Sequence, residues 1–137
     1  MDTRINPLDP VSSLFISPHA LGSRLGRADA PLLLDVRPQA RFDASPQMLA
    51  GATRCSPADV PALAAALFAE NPHQEVVVYC VYGHNVSAGV AFELRAAGLN
   101  ACVLAGGFEG GEDGVDSALE IAQWRRYALP KIAKGEK

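Results

Sequence analysis

Cys80 closes a β-branched run, Val76-Val77-Val78-Tyr79, and is followed by the short loop Val81-Tyr82-Gly83-His84-Asn85-Val86. From Ser87 to Ala97 the residues are helix formers with apolar spacing. The order strand, cysteine, loop, helix places a thiol at the carboxyl end of a buried strand, facing the first turn of the next helix. Unpaired backbone N–H groups and the positive end of the helix dipole stabilise a thiolate there, and the thiolate is the nucleophilic form of cysteine. Cys80 is therefore the candidate nucleophile. The alternative, a small core residue among apolar neighbours, suits the other two cysteines better. Cys102 lies within Ala101, Val103 and Leu104, and Cys55 stands before a Ser-Pro turn.

The elements around Cys80 give it company. Strand Glu75 to Tyr79, helix Ser87 to Ala97, Gly98 as the helix cap and strand Ala101 to Leu104 form a βαβ unit with parallel strands. Pro31 to Arg37 is a compact apolar run ending in charge, as expected of a doubly buried strand, and brings Asp35 and Arg37 to its carboxyl edge. Ala105-Gly106-Gly107-Phe108 follows the last strand, where glycine permits a tight turn close to the Cys80 loop. In an open parallel sheet ligands bind outside the carboxyl ends of the strands, and Asp35, Arg37, Cys80 and Gly106 all fall there.

The rest of the chain frames this unit. Residues 1–16 read as an arm, residues 17–130 as the domain and residues 131–137 as a charged tail. Ser17-Pro18 opens a short helix ending near Gly26, with Ala20, Leu21 and Leu25 on one face. Pro38 to Ala50 is a connecting excursion with room for one helical turn, and Ala52 to Cys55 a short strand. Ser56-Pro57-Ala58-Asp59 opens a helix turning Leu63, Leu67 and Phe68 inward until Asn71-Pro72 stops it. A last helix spans Ala118 to Tyr127, with Ile121 and Trp124 on its apolar face.

Composition narrows the function classes. With 137 residues, 49% apolar and 20% charged, the chain suits one soluble domain with one core. A net charge of −3 without a basic run gives no argument for nucleic acid. The apolar runs are too short for a bilayer span and the N-terminus lacks the features of a secretion signal, so the expected setting is the cytoplasm, without membrane association. The three cysteines form no CxxC pair, which favours reduced thiols. Cys55, His73, Cys80, His84 and Cys102 match no zinc-ligand spacing, and Glu109 to Asp116 lacks the alternation of a calcium loop. Neither a metal nor another cofactor is expected.

The ordered set of motifs resembles the rhodanese-like sulfurtransferase family: a strand ending in Asp35-Val36-Arg37, the Ala50-Gly51-Ala52 step, a strand delivering Cys80, a helix ending at Gly98, Ala105-Gly106-Gly107-Phe108, and Leu129-Pro130. The resemblance covers Ser17 to Pro130 and implies an α/β fold, a central parallel five-stranded sheet with helices on both faces. It implies that Cys80 takes a sulfane sulfur from an anion such as thiosulfate, holds it as a persulfide and passes it to a thiol or cyanide. Backbone N–H groups of Val81, Tyr82, Gly83, His84, Asn85, Val86 and Ser87 would point into the loop and hold the persulfide anion. In thiosulfate-using members an arginine four residues beyond the Asp-x-Arg arginine binds the donor, and Arg41 matches that position; its other reading is an exposed arginine on the excursion. Asp35 and Arg37 are expected to fix neighbouring loops through hydrogen bonds.

The loop departs from the family pattern. Asn85 stands where sulfurtransferases often carry arginine, Val86 follows, and Ser87 arrives one residue late, which implies a longer ring able to admit a larger anion. Rhodanese-related phosphatases and arsenate reductases close such longer loops with an arginine, and Val86 occupies that place, so phosphoryl or arsenyl chemistry lacks its cation. Within the loop, Gly83 is either a required positive-φ residue or a plain turn glycine. His84 either guides an anionic donor or stands in solvent, and Tyr82 either offers its hydroxyl or packs at the mouth. A second class of function, a binding or sensing module without turnover, uses the same fold; the presence of the cysteine favours catalysis.

Overall fold

A computed structural model describes residues 14–28, 30–82, 85–112 and 114–134. In chain order the elements are β1 (Phe15–Ile16), α1 (Pro18–Gly22), β2 (Leu32–Asp35), α2 (Gln39–Ala44), β3 (Gln47–Leu49), β4 (Thr53–Arg54), a 3-10 turn (Pro57–Asp59) leading into α3 (Val60–Glu70), β5 (Glu75–Tyr79), α4 (Asn85–Ala96), β6 (Asn100–Leu104), α5 (Ala118–Arg126) and β7 (Lys131–Ala133). Five strands form one parallel sheet in the order β1-β6-β5-β2-β4. The strand that ends before Cys80 is therefore central, as the α/β expectation requires.

Strand β5 shows why the sheet is covered on both sides. Its side chains alternate between faces. Val76 and Val78 join Leu34, Val103 and residues of α3 and α4, including Ala64, Val90, Ala91 and Leu94, in one apolar cluster. Val77 and Tyr79 join Leu21 of α1, Leu33, Leu49, Leu104, Phe108 and Leu129 in the cluster on the opposite face. A run without a polar residue is what two buried faces demand.

Local signals end the elements as their chemistry requires. Ser17 caps α1, its hydroxyl accepting the Ala20 N–H at 3.1 Å, although this helix stops at Gly22 rather than near Gly26. Helix α4 begins two residues before Ser87, at Asn85. It ends with Gly98 at φ +97°, the Leu99 N–H reaching Leu94 O at 3.1 Å and the Gly98 N–H reaching Arg95 O at 2.9 Å, the paired bonds of a Schellman cap.

Four local expectations need correction. Phe68 does not turn inward: it is 46% exposed, and its ring lies over Gly98, where an added Cβ would come within 2.6 Å of Phe68 Cε1. The excursion after Pro38 holds both α2 and β3. The segment read as the start of a charged tail is strand β7, antiparallel to β3 with Ile132 opposite Met48. Likewise Phe15 and Ile16, read as part of an arm, pair with Val103 and Leu104 at the edge of the main sheet. Both segments are too short to announce themselves by periodicity and are held by partners distant in sequence.

Candidate active site

Cys80 follows β5 directly and is 5% exposed. Its Sγ lies 3.1 Å from the hydroxyl of Ser87, a fully buried residue in the first turn of α4. A thiolate has no proton to give, so with Cys80 ionised the Ser87 hydroxyl is the donor. The turn after β6 grips the same loop through the backbone: the Phe108 N–H donates to Cys80 O and the Glu109 N–H to Val81 O, both at 2.9 Å. Gly106 and Gly107 take φ of +79° and +58° to make that turn. An added Cβ on Gly106 would meet Gly110 and the Trp124 ring at 3.0 Å.

Under the loop lies a buried polar network. Asp35 is fully buried and accepts from Arg37 Nη2 at 2.7 Å, Arg37 Nε at 3.0 Å and the Arg37 backbone N–H at 3.1 Å. The Tyr79 hydroxyl donates to Asp35 Oδ2 at 2.9 Å and accepts the Leu49 N–H at 3.1 Å. Burial, then the Asp35 charge, push the Tyr79 phenol well above its ordinary range, so it stays a neutral donor. Arg37 also donates to Gln47 O at 2.9 Å and lies 4.3 Å from the centre of the Phe108 ring. Arg54 completes the network, donating to the Arg37 carbonyl at 2.6 Å. Asp35 and Arg37 thus tie β2, β3 and β5 together by hydrogen bonds.

Arg41 is exposed on α2 and lines a hollow of about 300 Å³ with Arg37, Val81, Phe108 and Glu109. The fold therefore places Arg41 and Val81, the residue after the nucleophile, on the wall of one hollow. Tyr82, partly exposed, lines a different hollow beside Gly106. Ser87 is at the sulfur, and Val86 is partly exposed one residue earlier. Gly83, His84 and the side chain of Asn85 lie outside the described residues, and the expectations attached to them stay expectations.

Sequence reasoning missed Tyr79, Arg54 and Phe108 as site-building residues. For Tyr79 a signal was present, since a hydroxyl in an otherwise apolar strand must find a partner. The remaining cysteines stand apart from this centre. Burial, then Asp59, pushes the Cys55 thiol up, and its Sγ lies 3.6 Å from Ser56 O. Burial pushes the Cys102 thiol up to about 11, against the opposing charge of Arg95. Among the described residues no three His, Cys, Asp or Glu side chains gather as metal ligands, and no helix is long and apolar enough to cross a membrane.

A central parallel strand that hands a cysteine to a loop closed by a helix N-terminus defines a rhodanese-type architecture. The rhodanese-like domain family matches residues 17–113, and the chain belongs to that family. Solved structures agree on the fold. A rhodanese-related protein from Thermoplasma volcanium is 20% identical with a TM-score of 0.59, over 85% of this chain and 95% of its own. The rhodanese-like domain of an Anabaena protein is 22% identical with a TM-score of 0.62, over 88% and 79%. An As-Sb reductase from Leishmania major is 22% identical with a TM-score of 0.55, over 69% and 73%. No curated protein matches the chain.

Proposed function

We propose that the protein is a sulfurtransferase in which Cys80 carries sulfur as a persulfide. The observation that supports this most directly is the buried Cys80 Sγ at 3.1 Å from the Ser87 hydroxyl, at the end of the central strand. In the first half-reaction the thiolate attacks the outer sulfur of thiosulfate. A new S–S bond forms, the donor's S–S bond breaks, and sulfite leaves with the electron pair. In the second, a thiol or cyanide attacks the bound sulfur and Cys80 departs as thiolate. Neither step needs a cofactor, and both suit the reducing conditions of the cytoplasm.

Each group has a part in this reading. Ser87 donates to the negative sulfur, the amide groups at the start of α4 add their dipole, and Arg41 meets the incoming anion from the neighbouring hollow. The network of Asp35, Arg37 and Tyr79 holds the loop's surroundings in place rather than touching substrate. Phosphoryl or arsenyl transfer fits less well, because Val86 supplies no cation to the loop.

Incubation with thiosulfate followed by intact mass measurement tests the reading. A gain of one sulfur atom at Cys80, discharged by cyanide with formation of thiocyanate, is expected. No gain and no thiocyanate would refute sulfur transfer from this donor. Arg41→Ala should raise the thiosulfate concentration for half-maximal loading about tenfold, the range of one charge-assisted contact; an unchanged value removes Arg41 from the donor site.

A further inference from the structure

Helix α2 carries Arg41, yet little in its own sequence holds it in place. It spans 6 residues, none of them buried, and Pro38 at its start offers no side-chain cap. Isolated helices of this length are unstable in water, so its position must be imposed from outside. The contacts converge on Phe42, next to Arg41 in the chain. Arg54 Cζ lies 4.3 Å from the centre of its ring, Lys134 Nζ 4.2 Å and Arg37 Cζ 5.3 Å.

The two arginines belong to the network around Asp35, after β2 and on β4. Lys134 comes from the segment that follows β7. Its Nζ donates to Phe42 O at 2.6 Å across 92 positions of sequence, and its backbone N–H donates to Pro46 O at 3.0 Å, extending the ladder between β3 and β7. Phe42 O is one of the last carbonyls of α2 and also accepts the Ser45 N–H at 3.3 Å. A lysine there satisfies a helix-terminal carbonyl and meets the negative end of the helix dipole. At the start of β7, Lys131 Nζ lies 4.2 Å from the centre of the Phe108 ring, and Phe108 shares a hollow with Arg41. Strand β7 thus supports two of the segments that shape that hollow.

We propose that Lys134 is a positioning residue for anion recognition: it grips Phe42 and so fixes the helix that carries Arg41. The proposal rests on the sulfurtransferase reading, in which Arg41 meets the donor, and names the group that sets Arg41 for that task. Lys134 itself touches no substrate in this scheme. Without it the donor binds only by ordering α2 at the same time, so affinity falls while the thiolate chemistry, and with it the maximal rate, is unchanged.

Two measurements test the grip and its purpose. Lys134→Met keeps an unbranched side chain and removes the charge, so amide hydrogen exchange across residues 39–45 should quicken at least about tenfold, the range of one hydrogen bond to a charged group, and Lys134→Arg should restore it. A change within about twofold overturns the proposal. The purpose is read from a double-mutant cycle on the thiosulfate concentration for half-maximal loading of Cys80. Lys134→Met should raise it about threefold when Arg41 is present, without lowering the maximal loading rate, and leave it unchanged in Arg41→Ala. An equal rise in both backgrounds would mean that Lys134 acts through its own charge, and an Arg41→Ala without effect would leave Lys134 nothing to position; either result overturns the proposal. If thiosulfate does not load Cys80 at all, sulfur transfer from this donor fails, and the cycle is read instead on the ratio of Cys80 reaction rates with a sulfonate-bearing methanethiosulfonate and with neutral methyl methanethiosulfonate. Both reagents form a mixed disulfide and release methanesulfinate. That ratio should fall about threefold in Lys134→Met only when Arg41 is present, and a fall independent of Arg41 refutes the role of Lys134.

Discussion

Replacing Ser87 with alanine removes one oxygen atom from a fully buried position and leaves the helix turn around it intact. The hydroxyl lies 3.1 Å from Cys80 Sγ. Hydrogen bonds to charged groups are worth about 1.5 to 3 kcal/mol, more than neutral ones, and burial keeps water from taking the place of the lost donor. The substitution should therefore raise the free energy of the attacking thiolate by that amount; about half of the charge is still on sulfur in the transition state, so about half of the cost persists there and the reaction at pH 7 slows by a factor of about 3 to 10. Two assays separate this from general damage. The rate of Cys80 carbamidomethylation by iodoacetamide, a neutral reagent, reads the thiolate directly, and the rate of sulfur uptake from thiosulfate reads the first half-reaction. Both should fall by similar factors while the urea midpoint moves little. If Cys80 in Ser87→Ala reacts within twofold of the original rate and the urea midpoint is unchanged, the hydroxyl does not stabilise the thiolate and the reasoning fails.

Two further outcomes follow from buried groups. Tyr79→Phe leaves the Leu49 N–H without its acceptor and Asp35 without one of its donors, so unfolding in urea should show a loss of about 2 to 4 kcal/mol with an unchanged slope; a loss below about 0.5 kcal/mol would mean that the network repacks. Cys102, with its thiol pushed up from 9.0 to about 11, should be about one-thousandth ionised at pH 8 and alkylate about a hundredfold more slowly than an ordinary thiol. The neutral thiol is the form the folded state prefers. Its contribution to stability is thus fully present below pH 9.0 and is lost as pH rises through about 11, a fall of about 3 kcal/mol. Cys102→Ala should remove that part of the alkaline decline in urea midpoints.

Sequence alone determined what depends on local pattern. The unbroken Val76-Val77-Val78 run dictates a strand buried on both faces, and β5 emerges with its sides in two separate apolar clusters. Gly98 after a helical run dictates a left-handed cap, and the chain adopts it at φ +97°. The order of strand, cysteine, loop and helix was enough to single out Cys80, and the ordered motifs to reach the family. What only the tertiary structure decided are relations between segments far apart in the chain. The Tyr79 hydroxyl meets Asp35 and Leu49 because β2 and β3 lie beside β5, and no property of Glu75–Tyr79 encodes that neighbour. Lys131–Ala133 becomes a strand because Gln47–Leu49 offers it an edge, although its own composition reads as a solvated tail. Arg41 comes to share a hollow with Val81, beside the nucleophile, through the strand order β1-β6-β5-β2-β4. Periodicity reports which face of an element is buried; only packing decides against what.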